Sequence, residues 1–376
     1  MPLSPAGLEA TLALALLEGL GPSRLSTLVG HFGSAEGALR ASSRELQMLP
    51  GLGGTVAGRI VRAASEGRDA ARRAMRTLAR AGAVALTPED AAYPACFHSL
   101  PDPPYLLFAC GDLSLLDTPA VAVVGTRTPT PYGRTTAKEL SSALARSGYT
   151  IVSGMARGID AIAQAAALEV GGSTIGVLGN GIEQSYPPEN RPLFSAVRDR
   201  GLLITEFLPG ETPKPGNFPR RNRLIVALGR AVLVVEMGFK SGAQHTVTYA
   251  LEQGREVLAV PGNIDSPASA GTNQLIKEGA RLVSNVQDVL EELQGVGTTP
   301  ALPLRSPAPS SESQAALALL SPSEGAIFDA LAALPRHVDD LCRDTQLVPG
   351  VTLGALLELE LKGLAEALPG KLFRRA

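Results

Sequence analysis

Apolar residues fall in two different rhythms along this chain. Between about residues 120 and 293 they come in short unbroken runs. Val121-Ala122-Val123-Val124 is the first, followed by Tyr149–Val152, Ser173–Leu178, Gly201–Thr205, Ala231–Val235 and Glu256–Val260. Continuous β-branched runs without alternation predict strands covered on both faces, and helical patterns lie between them. The economical arrangement is a parallel sheet with right-handed crossovers, an α/β Rossmann-like fold. Up to Gly82 the rhythm is helical, dominated by Ala, Leu and Arg. Leu49-Pro50-Gly51-Leu52-Gly53-Gly54, ahead of Val56, Ile60 and Val61, reads as a glycine turn between two short helices. Gly19-Leu20-Gly21-Pro22-Ser23 reads as a weaker first copy. This is the pattern of a helical SAM-like or helix-hairpin-helix domain, whose turns can offer backbone N–H groups to DNA phosphates. A small bundle for protein contacts fits the same pattern, since only Arg59 and Arg62 add charge near the hairpin.

Residues 295–313, with Pro300, Pro303, Pro307 and Pro309, read as a flexible linker. Beyond it, Ser323–Leu334, Val338–Gln346 and Thr352–Lys362 are helical, and Ala365–Phe373 holds a Pro369-Gly370 turn between apolar runs. Three helices and a hairpin predict a winged helix. Duplex DNA and protein docking are both open to it; Glu358 and Glu360 against Lys362 lean toward docking. The expected domains are therefore 1–82 helical, 83–294 Rossmann-like, 295–313 linker and 314–376 winged helix.

A chain of 376 residues suits two or three domains. Its formal charge of −2 means that any nucleic-acid site must be a local patch. Cys96, Cys110 and Cys342 are scattered and odd in number, against a disulfide framework or a zinc site. The apolar Leu12–Leu17 has no basic segment before it and is short, which predicts neither signal peptide nor membrane span, and a reducing cytoplasm as the location.

Charge concentrates in Asn217-Phe218-Pro219-Arg220-Arg221-Asn222-Arg223, ahead of Leu224–Leu228 and Gly229. Pro219 suits a helix's first turn and Gly229 the position past its end. Arginines at a helix start meet free N–H groups that favour anions, and the ring beside them suits a stacked base. Arg220 and Arg223 share a helix face while Arg221 is rotated away, so one of the three is expected to be structural, pairing with Glu206 or Glu236. Small residues end the strands: Gly125-Thr126-Arg127, Ser153-Gly154-Met155-Ala156-Arg157-Gly158, Gly179-Asn180-Gly181 and Ser241-Gly242. In an open parallel sheet ligands bind there, and glycines let backbone approach phosphate. Neither a dinucleotide fingerprint nor a P-loop is present. His31, His98, His245 and His337 show no metal spacing, and no nucleophile elbow occurs. Asp160, Glu206 and Glu236 lie near strand ends as acid–base candidates or as caps and ion-pair partners. No catalytic residue, cofactor or metal is expected, although a nucleotide-binding or nucleotide-hydrolysing enzyme remains the alternative.

Taken together, several motifs resemble the DNA-processing protein family DprA/Smf. They are Val123-Val124-Gly125-Thr126-Arg127, Tyr132-Gly133, Ser153–Asp160, Val177–Gly181 with Tyr186-Pro187, and Asn217–Arg223. Ser241-Gly242-Ala243, Gly254–Val257 with Pro261-Gly262, and Gly271–Ala280 complete the set in order. The resemblance implies a single-stranded DNA-binding homodimer of natural transformation. Such a protein protects incoming strands and helps RecA load onto them past single-strand binding protein. The terminal domains would add duplex DNA as a further partner. It implies a DNA pocket of Arg127, Lys214, Phe218, Arg221 and Arg223 with the Ser153-Gly154 backbone close by; the strand-end turns and the arginine helix add Gly125, Thr126, Arg157, Asn217 and Arg220 to the expected DNA-binding set. The chain departs from the family at Gln164, where a histidine is usual, and at Gln244-His245, where two apolar residues are usual. Tyr186–Asn190 also lacks a lysine that some relatives carry.

Overall fold

The computed structural model describes residues 3–239, 241–295, 321–331, 336–345, 347–362, 364–368 and 372–375. They fall into two compact units, Met1–Thr298 and Thr299–Ala376.

The first unit opens with six helices, α1 Pro5–Ala15, α2 Pro22–Phe32, α3 Ala35–Arg40, α4 Ser43–Gln47, α5 Gly54–Glu66 and α6 Arg68–Ala81. The two glycine turns lie between α1 and α2 and between α4 and α5, as their sequence predicts. A nine-stranded sheet follows: β1 Val84–Leu86, β2 Leu107–Gly111, β3 Ala120–Val124, β4 Thr150–Ser153, β5 Thr174–Val177, β6 Leu202–Thr205, β7 Ala231–Val234, β8 Glu256–Ala259 and β9 Arg281–Leu282. Its order is β1-β2-β6-β5-β4-β3-β7-β8-β9. The seven strands from β6 to β9 pair in parallel, and all six apolar runs lie among them. The sheet is not purely parallel, because β2 pairs antiparallel with β6, and β1 with β2. Those strands escape a pattern search: β1 has three residues, and β2 sits beside the turn-rich Pro101–Pro104.

The crossover helices are α7 Pro131–Arg146, α8 Ile159–Glu169, α9 Arg191–Arg200, α10 Asn217–Leu228, α11 Ala243–Glu252 and α12 Ala270–Lys277, and α13 Val286–Gly295 follows the last strand. One sheet face packs Val121, Val123 and Ile151 against Leu144, Ile159 and Val289. The other packs Ala122, Val124 and Val232 against Leu224, Ile225 and Val247. Covering on both faces is why these strands read as continuous apolar runs. After β3 the chain builds β4, β5 and β6 outward on one side. It then crosses back to place β7 on the other side of β3. The β3–β7 junction is the topological switch point, where such sheets leave a crevice.

The helical domain does not stand apart from the sheet. Leu12, Leu28, Leu46 and Ile60 share one buried cluster with Phe108 and Leu203.

In the second unit, helices Pro322–Ala330, Val338–Thr345 and Pro349–Leu361 pack Ile327, Leu341, Leu356 and Leu359 together. Strands β10 Arg336–His337, β11 Ala365–Leu368 and β12 Leu372–Arg375 form an antiparallel sheet in the order β10-β12-β11. This is a winged-helix arrangement. Of the linker expected at 295–313, Gly295 ends α13, and the rest, like the Pro369-Gly370 turn, lies outside the described residues.

Candidate nucleic-acid interface

Strand ends shape the crevice. Where β3 stops, Gly125 has no room for a side chain: a Cβ there would lie 2.6 Å from Ile159 of α8. Thr126 donates its N–H to the Glu236 carbonyl at 2.7 Å, tying the β3 turn to the β7 turn. The Glu236 carboxylate caps α7, accepting the Thr130 N–H at 2.8 Å and its hydroxyl at 2.6 Å. Arg127 then leaves the turn exposed.

The β4 turn is more constrained. Ser153 donates its hydroxyl to the Val123 carbonyl, and the Gly154 N–H reaches Asp160 at 3.1 Å. Met155 takes a left-handed φ of 56°, strained for a side chain of its size. Buried Gln164 steadies it, accepting the Met155 N–H at 3.2 Å while donating to the Ile175 carbonyl at 3.1 Å. Gly158 is held at φ 78° against the Thr126 carbonyl, which leaves space only for glycine.

The three arginines of α10 all have internal partners. Arg221 is 4% exposed and donates to the Gly154 carbonyl at 2.6 Å and to the Val177 carbonyl. Its guanidinium thus bolts the ends of β4 and β5 together beside Asp160. Burial pulls Arg221 down to about 10, against the attraction of Asp160. Burial pushes the Asp160 carboxyl up, against Arg221 and the Gly154 N–H. Arg220 and Arg223 share a face, as helix geometry requires. Both donate to one Glu206 oxygen, at 2.8 and 2.7 Å. Burial raises Glu206, opposed first by Arg223 and then by Arg220. The expectation of one structural arginine is therefore too low. Arg221 and Arg223 are sealed in the fold, and Arg220 also lies 5.8 Å from the Phe207 ring centroid.

Phe218 stacks on the exposed ring of Tyr186, with centroids 5.4 Å apart and planes 28° from parallel. A Cβ on Gly179 would come within 2.7 Å of Phe218, so that glycine leaves space for the ring.

These elements enclose a cleft of about 730 Å³. Gly125, Thr126, Arg127, Tyr186, Phe218, Arg221 and Asn222 line one part of it. Gly238, Ser241, Gly242, His245 and Thr246 line the opposite wall. Gly154 and Arg157 join Arg127, Tyr186 and Phe218 around a recess of about 30 Å³. The sequence-predicted residues divide accordingly. Gly125, Thr126, Arg127, Gly154, Arg157, Phe218 and Arg221 come together. Asn217 and Arg220 instead line a separate pocket of about 180 Å³, shared with Leu20, Leu25, Tyr105 and Glu206. Ser153 is fully buried behind the turn. Lys214 is exposed near the start of α10 and pairs with Glu211 at 3.2 Å, while Arg157 pairs with Glu189 at 2.6 Å. Asn222 and His245 were not singled out by sequence as site residues. Tyr186 was noticed only as part of a motif; its stacking partner lies 32 positions away.

Fold and crevice together define a class: a Rossmann-like protein whose switch-point cleft is walled by backbone turns, an exposed arginine and a pair of stacked rings, suited to a phosphate-bearing ligand. The family model described as DNA recombination-mediator protein A matches residues 84–294, and that of the DprA winged helix domain matches 306–371. Protein Smf of Synechocystis sp. is 33% identical over 399 aligned positions, covering 97% of this chain and 98% of that protein. Protein Smf of Escherichia coli K12 is 41% identical over 76% of each chain. The X-ray structure of DNA processing protein A from Streptococcus pneumoniae superposes with a TM-score of 0.66 at 32% identity, over 78% of this chain and 99% of that one. A Helicobacter pylori DNA processing protein A structure, described by its single-stranded DNA binding mode, gives 0.52 at 35% identity over 56% and 96%. This chain belongs to the DprA/Smf family of DNA-processing proteins.

Proposed function

We propose that this chain binds single-stranded DNA across the β3–β7 crevice and passes it to RecA. It would work as a cytoplasmic homodimer that displaces single-strand binding protein. The observation that carries this reading is the exposed Arg127 beside the Tyr186–Phe218 stack in one cleft. Charge for phosphate and a π-face for a base are the two parts of a sequence-tolerant single-strand site. In this reading Arg127, Lys214 and Arg157 meet phosphates, exchanging Glu211 and Glu189 for the strand. Backbone at Gly125 and Thr126 approaches it closely, and Phe218 with Tyr186 receives a base. Ser153, Gly154, Arg221 and Arg223 hold the cleft's shape from beneath, and Asn217 and Arg220 act one layer further back. The single-strand binding described for the Helicobacter pylori relative supports the choice of polymer.

A binding role, rather than nucleotide hydrolysis, is supported by what the acid candidates do. Asp160 accepts the Gly154 N–H beside Arg221, Glu206 holds two arginines, and Glu236 caps α7. The winged helix is assigned docking or duplex contacts.

Titration of a short oligothymidylate tests the site. Arg127→Ala and Lys214→Ala should each weaken binding, and each should flatten log K against log salt by about 0.7, the share of one single-strand phosphate contact. Wild-type affinity and slope in both variants would refute the assignment. Release of base or phosphate from nucleotides, abolished by Asp160→Asn, would instead establish an enzyme.

A further inference from the structure

Among the described helices, the one with the most exposed arginines lies outside the crevice. In its fourteen residues α6 carries Arg68, Arg72, Arg73, Arg76 and Arg80 against a single carboxylate, Asp69. All five arginines are exposed, while Ala71, Ala74 and Leu78 bury the opposite face. Arg68, Arg72, Arg76 and Arg80 follow one another at steps of four. At 1.5 Å per residue they rise about 6 Å apart, along a row about 18 Å long. Of these five arginines only Arg72 forms an ion pair among the described residues, with Glu9 of α1 at 3.3 Å. Arg40, Arg68 and Arg72 also edge a pocket of about 350 Å³ that includes Glu9 and Glu36.

Folding gives no reason for this row. Like charges four residues apart oppose a helix. Arg68, in the first turn, also meets the positive end of the helix dipole. A chain with a net charge of −2 has placed five cations on one short exposed surface. The natural complement is a rigid polyanion. No aromatic residue occurs on α6, so the base-stacking platform of a single-strand site is missing. Duplex DNA needs none: its backbone offers one negative charge per about 1.7 Å of axis, and phosphate contacts position without reading bases.

We propose that the α6 face is a second nucleic-acid site, which takes the backbone of duplex DNA independently of sequence. The chain then has two separate grips, a crevice for a single strand and a helix for duplex.

The test uses the full chain carrying Arg68→Gln, Arg73→Gln, Arg76→Gln and Arg80→Gln together. Its probes are a mixed-sequence duplex of about 20 base pairs and hexathymidylate. Duplex affinity at low salt should fall at least about tenfold, and its salt slope should flatten by about 3.6, at roughly 0.9 for each of the four phosphate contacts removed. Hexathymidylate binding should stay at the wild-type level. Lysines at the same four positions should keep the duplex slope. If the quadruple variant does not fold, Arg73→Gln with Arg76→Gln alone should remove about half of the slope change. Unaltered duplex affinity and slope would overturn the proposal. So would loss of binding to a polyglutamate peptide with duplex binding retained, which would assign the face to an acidic protein partner.

Discussion

A buried guanidinium between two carbonyls and a carboxylate is an expensive way to join strand ends, and Arg221 is that joint. Replacing it with alanine would strand the Asp160 carboxyl in a low-dielectric site. Removing one member of a buried pair costs about 3–5 kcal/mol. Urea unfolding of Arg221→Ala should show a loss of that size, and the double variant with Asp160→Asn should lose less than the two single losses combined. From sequence the three arginines of α10 look alike, a cluster at a helix start. Their rotation about the helix was legible, and Arg220 and Arg223 do share a face. What no local pattern conveys is that the ends of β4 and β5 close over Arg221, or that Glu206 is buried beside Arg223. Burial is decided by distant segments. A charge that reads as solvent-facing in a seven-residue window therefore becomes a structural cation in the fold. Glycines were easier to read. Gly125 and Gly154 were singled out as small residues at strand ends, and the structure gives each a neighbour that a methyl group would strike.

At the scale of elements, apolar runs located six of the seven strands of the parallel core to within a residue or two, because a strand covered on both faces has no polar side to interrupt it; the two-residue, exposed β9 left no such run. On the antiparallel side β1 has only three residues, and β2, although five residues long, follows the proline-rich Pro101–Pro104, so length fails for one and pattern for the other. The sequence pattern started the first helix of the second unit at Ser323 and passed over its cap. Ser321 and Glu324 form a capping box at the start of Pro322–Ala330. Lys362 also reaches Glu324 at 2.8 Å, joining the first and third helices of that unit. The Lys362 hydrogen bond, with that from the Ser321 N–H, holds the Glu324 carboxyl below its ordinary 4.5. The folded state therefore binds this proton less readily than the unfolded one. The contribution is fully present above 4.5 and is lost as pH falls through the lowered folded value. Thermal melts of the second unit should show Glu324→Gln lowering the midpoint at neutral pH, with the difference from wild type closing on the acid side of 4.5.

For the whole molecule, one core joins what the sequence divides. A boundary after Gly82 follows the change from helical to strand rhythm, and the family match beginning at residue 84 follows the same change. Yet Leu12, Leu28 and Ile60 pack in the cluster that holds Phe108 and Leu203, and the compact unit runs to Thr298. An apolar face between two folded layers has the same composition as the interior of either, so composition alone does not mark it. Phe108→Ala in β2 should destabilise by about 3–5 kcal/mol. Hydrogen exchange should then speed up in α1 and α2 as well as in the sheet, whereas independent domains would confine the effect to the sheet. No helix among the described residues is long and apolar enough to cross a membrane.

The ring pair at the crevice has an optical consequence. The chain contains six tyrosines and no tryptophan. No indole is present to drain phenol excitation or to swamp its emission. Tyr186 lies against Phe218, so a base that displaces either ring changes the surroundings of one of only six emitters. The unlabelled protein thus carries a native fluorophore at the mouth of its cleft.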